Sequence, residues 1–320
     1  MTEIAVIGAG AFGTALAIAL AKAGRSVQLV ARSPETVQEM SRNRQNVNRL
    51  PGHRLPDALD VSLTLADSAK TIMLAVPTQK LTACLKDLGE KPNDASFVTC
   101  NKGVDLASGV GPTGIVCEVW PTAPVAALSG PGFAVDIAAG LPTAMTLACA
   151  DENLGRALQD QLSTETLRLY RTTDVTGVEL GGALKNVVAI AAGIVVGLGL
   201  GESARAALMS RGFAELQRFA AGQGAQPETL AGLSGFGDLV LTCTSEKSRN
   251  FRFGQTIGSG NAPDQKMTVE GAATAKIVSK LAQNAGISTP ITDLVAAIVS
   301  GKLSAQDART MLLSRPLKEE

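Results

Sequence analysis

The sequence predicts an α/β chain, with a doubly wound sheet in its N-terminal half and an all-helical domain after it. Three observations predict this. Short apolar runs alternate with helical stretches up to about residue 172, as in sheets whose strands are buried on both faces by crossover helices. Beyond Thr173 the apolar spacing becomes helical. At the start, Gly8-Ala9-Gly10-Ala11-Phe12-Gly13 separates an apolar strand from an alanine-rich helix and reads GxGxxG in full. In that setting Gly8 permits the tight turn, Gly10 lets a pyrophosphate approach the backbone, and Gly13 lets the helix lie close on the strand. The first half is therefore Rossmann-like, and a dinucleotide is expected at the helix N-terminus, where free N–H groups face the anion.

The elements follow in order. Strands are expected at 4–7, 27–30, 71–76, 97–100, 125–128 and 143–148, each a short apolar run closed by turn residues such as Pro77 and Gly103. The first helix runs to Ala23 and stops at Gly24. After residue 178 helices are expected at 180–200, 204–223, 255–257, 272–285, 291–299 and 305–313. Two domains follow, 1–177 for the dinucleotide and 178–320 for the substrate, in keeping with a length of 320 residues.

Bulk properties exclude several classes of function. Lys plus Arg and Asp plus Glu number 29 each, with no block of like charge, so neither nucleic acid nor an anionic membrane is an expected partner. The apolar start lacks the basic region of a signal peptide, since Glu3 precedes it. The apolar run 187–200 is 14 residues, short for a span of about 20, and reads as a core helix without stable membrane insertion. Cys84, Cys100, Cys117, Cys149 and Cys243 form no CxxC pair. They argue for a reducing, cytoplasmic setting and no metal site.

A nicotinamide-dependent carbonyl reductase needs a proton donor beside the reacting carbon. The chain has one histidine, His53, in the loop Pro51-Gly52-His53-Arg54, with no carboxylate arranged around it. Lysine takes its place. Lys185 is the only charged residue between Glu179 and Glu202, and burying an ammonium among apolar side chains lowers its pKa towards neutrality. A lysine snorkelling from a helix end is the alternative. Lys102 directly follows the strand at 97–100, at the strand end where such sheets bind ligands. The segment 235–250 reads as a glycine-rich connection carrying Asp238, Thr242, Ser248, Arg249 and Asn250. There Arg249 and Asn250, beside a helix start, have the donors to grip a phosphate. The second strand ends without an acidic residue and is followed by Arg32 and Ser33, which favours a 2′-phosphate and so NADP(H), with NAD(H) still possible.

Together with Lys102-Gly103, Ser129-Gly130-Pro131-Gly132-Phe133-Ala134, residues 139–144, 180–186 and 237–242, Ser248-Arg249-Asn250 and Val269-Glu270-Gly271, the glycine motif resembles the bacterial NAD(P)-dependent glycerol-3-phosphate dehydrogenase family over nearly the whole chain. The resemblance implies reversible reduction of dihydroxyacetone phosphate to sn-glycerol 3-phosphate for phospholipid synthesis, by a cytoplasmic homodimer. It implies that Lys185 exchanges the proton. Lys102, Gly130, Gly132, Asn186, Asp238 and Thr242 would surround the substrate, with Lys102 and Asp238 assisting catalysis, and Ser248, Arg249 and Asn250 would clamp its phosphate. Gly8, Gly10, Ala11, Phe12, Gly13, Arg32, Lys102, Ala134, Arg249 and Glu270 fall at cofactor positions. The family usually has serine or threonine where this chain has Gly132, so one hydroxyl contact to substrate is missing, and the N–H groups of Gly130 and Gly132 or a water are expected to replace it. Two other readings stay open: a 3-hydroxyacid-type dehydrogenase, against which the 237–250 segment argues, and a non-catalytic NADPH-sensing module.

Overall fold

The computed structural model describes residues 2–92, 94–106, 108–264 and 269–313. In the N-terminal half, strands β1 (Ile4–Ile7), β2 (Val27–Val30), β3 (Asp60–Ser62), β4 (Thr71–Leu74), β5 (Ser96–Thr99), β6 (Val125–Ser129), β7 (Thr143–Ala148) and β8 (Leu167–Thr172) form one sheet. Their order is β3-β2-β1-β4-β5-β6-β7-β8. All neighbours are parallel except β6 and β7. Helices α1 (Ala11–Lys22), α2 (Pro34–Asn43), α3 (Thr78–Asp87), α4 (Pro112–Val119), α5 (Ala134–Ala139) and α6 (Glu152–Leu162) connect them. β1, β2 and β4 are buried along their whole length, which is why each reads as a largely apolar run, broken only by Gln28 in β2 and Thr71 in β4. One face packs on α1, α5 and α6 through residues such as Leu16, Ile137 and Leu158. The other face packs on α3 and α4 through Leu81, Leu85, Ile115 and Val116, with the rings of Phe97 and Trp120 centred 5.0 Å apart.

Several expectations need correction. β3 and β8 were not expected. β3 is three residues long, and β8 alternates buried Leu167 and Leu169 with exposed Arg168 and Tyr170, the pattern of a strand that is not covered on both faces. The strand expected at 71–76 ends at Leu74, because Ala75 and Val76 form the turn beside Gly8. That expected at 97–100 runs from Ser96 to Thr99.

The helical half comprises α7 (Val175–Gly197), α8 (Gly201–Ala221), α9 (Pro227–Ala231), α10 (Asp238–Cys243), α11 (Arg249–Gly258), α12 (Glu270–Asn284), α13 (Pro290–Val299) and α14 (Ala305–Leu313), with a π-helical turn at Leu233–Gly237. α7 starts five residues before the expected 180. The Asp174 carboxylate caps it by accepting from the N–H of Gly177 at 2.8 Å, and also accepts from the N–H of Gln226. At 23 residues α7 is long and apolar enough to cross a membrane, so the argument from a short apolar run fails. Burial decides instead, since 83% of its apolar window lies inside the protein. The supposed connection at 235–250 is largely helical, and the short helix expected at 255–257 is the end of α11, whose start Ser248 caps.

α7 and α11 cross backbone to backbone. Gly193 and Gly197 on α7 face Gly254 and Gly258 on α11, and a Cβ at any of the four would collide with main-chain atoms of the other helix. Gly254→Ala supplies a test through its sign. At an unconstrained helix position the change stabilises by about 1 kcal/mol, whereas forcing a methyl into this crossing is expected to destabilise by about 1–3 kcal/mol. A urea unfolding midpoint that rises in the variant would contradict the packing.

Candidate active site

The dinucleotide turn forms as the glycines require. Gly8 has φ +114°, and a Cβ there would lie 2.8 Å from the Ala75 carbonyl oxygen. At Gly13 a Cβ would strike the carbonyl of Gly8. Gly10, the residue preceding α1, faces open space, with nothing within 4 Å of a Cβ built on it. The first N–H groups of α1 have no intrahelical acceptor, and the open face at Gly10 leaves room for a phosphate beside them. The residues therefore fit a dinucleotide. Asn46, which the sequence did not single out, braces the turn by donating to Ala9 O at 3.0 Å and Thr14 Oγ1 at 2.8 Å.

Across the sheet's carboxyl edge from this turn, three charged side chains meet. Asp238, 2% exposed at the start of α10, accepts from Lys102 Nζ at 2.6 Å on one oxygen and from Lys185 Nζ at 3.1 Å on the other. Lys185 Nζ also donates to Thr242 Oγ1 at 2.8 Å, and that hydroxyl donates to Asp238 at 3.2 Å. Lys102 donates to the carbonyl of Gly130 at 2.8 Å and lies 5.8 Å from the ring centre of Phe12, which ties the glycine motif to the cluster. Gly130 thus offers Lys102 its carbonyl.

Two glycines bring Lys185 to this place. A Cβ on Gly181 would lie 2.9 Å from the carbonyl of Ser234 in the π-helical turn, and one on Gly182 would strike Ser129 Oγ at the end of β6. With both positions bare, α7 lies against the sheet edge and the π-helical turn at once. Burial is the largest influence on Lys185 and lowers its pKa; Lys102 lowers it further, against the attraction of Asp238. For Asp238 burial would raise the pKa, but Lys102 and Lys185 together outweigh it and hold the carboxyl below its ordinary range. Two cations share one anion. The surplus positive charge suits an oxygen that gains negative charge.

The other expected residues group around this core. The Asn186 carbonyl oxygen accepts from the Asn250 amide at 2.9 Å, and Asn250 in turn accepts from the N–H of Gly271 at 3.0 Å, so these side chains first of all tie α7, α11 and α12 together. Ser248 is buried and caps α11, while Arg249, its first residue, is exposed. Glu270 opens α12; burial raises its pKa, opposed by Arg249, Lys185 and Lys102 in that order. Ala134 opens α5, and Arg32 stands exposed just beyond β2. At Gly132 a Cβ would lie 3.1 Å from Ile137 and 3.2 Å from Thr143, so methyl groups crowd the place of the missing hydroxyl. His53 makes no contact with this cluster and is half-buried in its loop. Buried polar atoms without a partner gather at the same edge: Thr78 Oγ1 beyond β4, the Asn101 amide beyond β5 and Ser129 Oγ on β6. Among the described residues no cluster of His, Cys, Asp or Glu suits a metal.

A Rossmann-like sheet with a phosphate turn, and a helical half delivering a buried lysine to its carboxyl edge, define a nicotinamide-dependent oxidoreductase. Comparison with known proteins makes this specific. Residues 3–155 match the model for the N-terminus of NAD-dependent glycerol-3-phosphate dehydrogenase, and residues 174–310 match that for its C-terminus. Glycerol-3-phosphate dehydrogenase [NAD(P)+] of Ruegeria sp. is 54% identical over 320 residues, covering 99% of this chain and 100% of the relative. The Paracoccus denitrificans enzyme of the same description is 54% identical over 319 residues, with the same coverage. The crystal structure of glycerol-3-phosphate dehydrogenase from Coxiella burnetii superposes with a TM-score of 0.91 at 36% identity, covering 98% of this chain and 99% of that one. The chain belongs to the NAD-dependent glycerol-3-phosphate dehydrogenase family, and it is an enzyme, which excludes the sensing module.

Proposed function

We propose that Lys185 is the proton donor and acceptor in the reversible conversion of dihydroxyacetone phosphate and NAD(P)H to sn-glycerol 3-phosphate, a precursor of phospholipids. The observation that carries this reading is the buried Lys185 ammonium held between Asp238 and Thr242, facing Lys102 at the strand ends. The bound nicotinamide supplies a hydride to the carbonyl carbon. Lys185 gives its proton to the oxygen of that carbonyl, which becomes the C2 hydroxyl, and in the reverse direction takes it back as a neutral amine. Its lowered pKa, from burial first and Lys102 second, eases both steps. Lys102 stabilises the negative charge growing on the oxygen. Asp238 keeps the two cations together, orienting both.

For the cofactor, the glycines of the 8–13 turn, with Ala11 and Phe12, would hold the pyrophosphate, and Ala134, Arg249 and Glu270 would add further contacts to it. The substrate phosphate falls to Arg249 beside the N-terminus of α11, helped by the Ser248 hydroxyl and Asn250. The boundary between cofactor and substrate domains is drawn at 177/178, inside the first turn of α7 and just beyond the start of the second matched region at residue 174. Cytoplasmic location is supported by five free cysteines, and the family resemblance supports a homodimer.

Arg249→Ala is expected to weaken use of dihydroxyacetone phosphate by about 1.5–3 kcal/mol in kcat/KM, the worth of a hydrogen bond to a charged group, with a much smaller loss on unphosphorylated dihydroxyacetone. Following oxidation of NADPH with both ketones checks this, and equal losses would remove Arg249 from the phosphate site. NADPH is expected to be preferred to NADH, with Arg32 pairing with the 2′-phosphate. Arg32→Ala should then lower the NADPH/NADH ratio of kcat/KM. A wild type that prefers NADH, or an unchanged ratio in the variant, contradicts the assignment.

A further inference from the structure

Six residues before Lys185, α7 makes a second polar contact with the α/β half, and neither substrate nor cofactor explains it. Glu179 reaches α4 and accepts from the N–H of Thr113 at 2.7 Å. α4 has no cap from its own sequence, because Gly111 precedes it. The carboxylate of another helix does that work. Gly111 is bare for a reason, since a Cβ there would collide with Glu179 Oε2. No lysine or arginine pairs with Glu179 among the described residues. Two helices rather than one are joined by this side chain: α4, whose Ile115 and Val116 lie in the core of the sheet, and α7, which carries Lys185 about 9 Å further along its axis at 1.5 Å per residue.

We propose that Glu179 is a proton-operated latch between the helical half and α4, and a positioning residue for Lys185. With the carboxyl neutral the contact is a hydrogen bond between two helices; with it charged, a half-buried anion stands there with no lysine or arginine paired to it among the described residues. The N-terminus of α4 favours the anion, and burial opposes it. Burial dominates, raising the Glu179 pKa from 4.5 to about 7 against the opposing bonds from Thr113. The sign follows. A carboxyl freed from this contact titrates near 4.5, so the latch is fully in force below that pH, weakens as pH rises, and has lost its protonation-linked stability above about 7. The groups around it leave this window to Glu179. Cys117 on α4 feels its charge, but that thiol is raised by burial first and by Glu179 second. Glu118 on α4 is exposed, as are Lys276 and Lys280 on α12. β6 carries no titratable residue; the nearest on α7 is Lys185, and Asp174 caps that helix.

Two variants separate charge from contact. Glu179→Gln keeps an acceptor for the Thr113 N–H and never ionises. Gly111→Ala displaces the Glu179 side chain and alters no titratable group. The readouts are the thermal midpoint and the fluorescence of Trp120, the chain's single tryptophan, which ends α4 against Phe97, followed from pH 5 to pH 8 together with kcat for the reduction. The wild type is expected to match Glu179→Gln near pH 5 and to fall behind it by several degrees by pH 8, with Trp120 emission and kcat changing over the same interval. Gly111→Ala should have a lowered midpoint and little pH dependence in that interval. A midpoint gap between wild type and Glu179→Gln that is constant in pH, or a Gly111→Ala variant behaving as wild type, overturns the latch. A pH-dependent gap with identical kcat in both proteins overturns the positioning role. The kinetic part rests on Lys185 as proton donor; if that assignment failed, the midpoint and fluorescence would still report the latch.

Discussion

A single carboxylate organises the reactive part of this protein. Asp238 lies almost fully buried, with Lys102 on one oxygen and Lys185 on the other. Either lysine alone would be costly at this depth, and the two together repel. The anion makes the pair tenable while leaving one positive charge over. In the mechanism proposed above that imbalance is what acts, because a ketone becoming an alcohol passes through an oxygen with negative charge and then needs a proton. The same contact links the halves, since Lys102 extends from the end of β5 and Asp238 opens α10.

The rest of the fold arranges for that contact by letting backbones approach. Gly181 and Gly182 let α7 touch the π-helical turn and β6 together, and Gly193, Gly197, Gly254 and Gly258 let α11 lie across α7. The second crossing keeps Arg249 and Asn250, at the start of α11, near the Lys185 turn of α7 through the Asn186–Asn250 hydrogen bond. Glycine costs helix stability wherever it occurs in these segments. Here the loss is offset by close packing that no larger residue permits.

Much of this was legible in the chain. The strands buried on both faces and the glycine turn carry local signals, a largely apolar run and a spacing that only a strand, a turn and a helix start explain. Lys185 was legible because its isolation among apolar residues is a property of sequence alone. What sequence missed is what depends on partners distant in the chain. β8 half-hides behind alternation, and the direction of β7 has no local signature. The 235–250 segment reads as a loop because its glycines sit in a π-helical turn, where a Cβ on Gly235 would strike the Leu230 carbonyl at the end of α9, rather than in an open connection. Glu179 and Asn46 look like ordinary polar residues until the fold puts α4 and the dinucleotide turn beside them. The roles suggested for Asn186 and Asn250 by resemblance gain a structural partner role that spacing alone did not reveal.

The central claim is that Lys185 moves the proton and is held for that purpose. The most direct measurement is single-turnover reduction of dihydroxyacetone phosphate by purified, folded Lys185→Ala, with NADPH affinity measured on the same sample. The predicted result is a rate lower by about 10²–10⁴-fold with NADPH binding preserved, since Lys185 contacts Asp238 and Thr242 and not the glycine turn. A rate near that of the wild type, in a protein that still binds NADPH, would contradict the account.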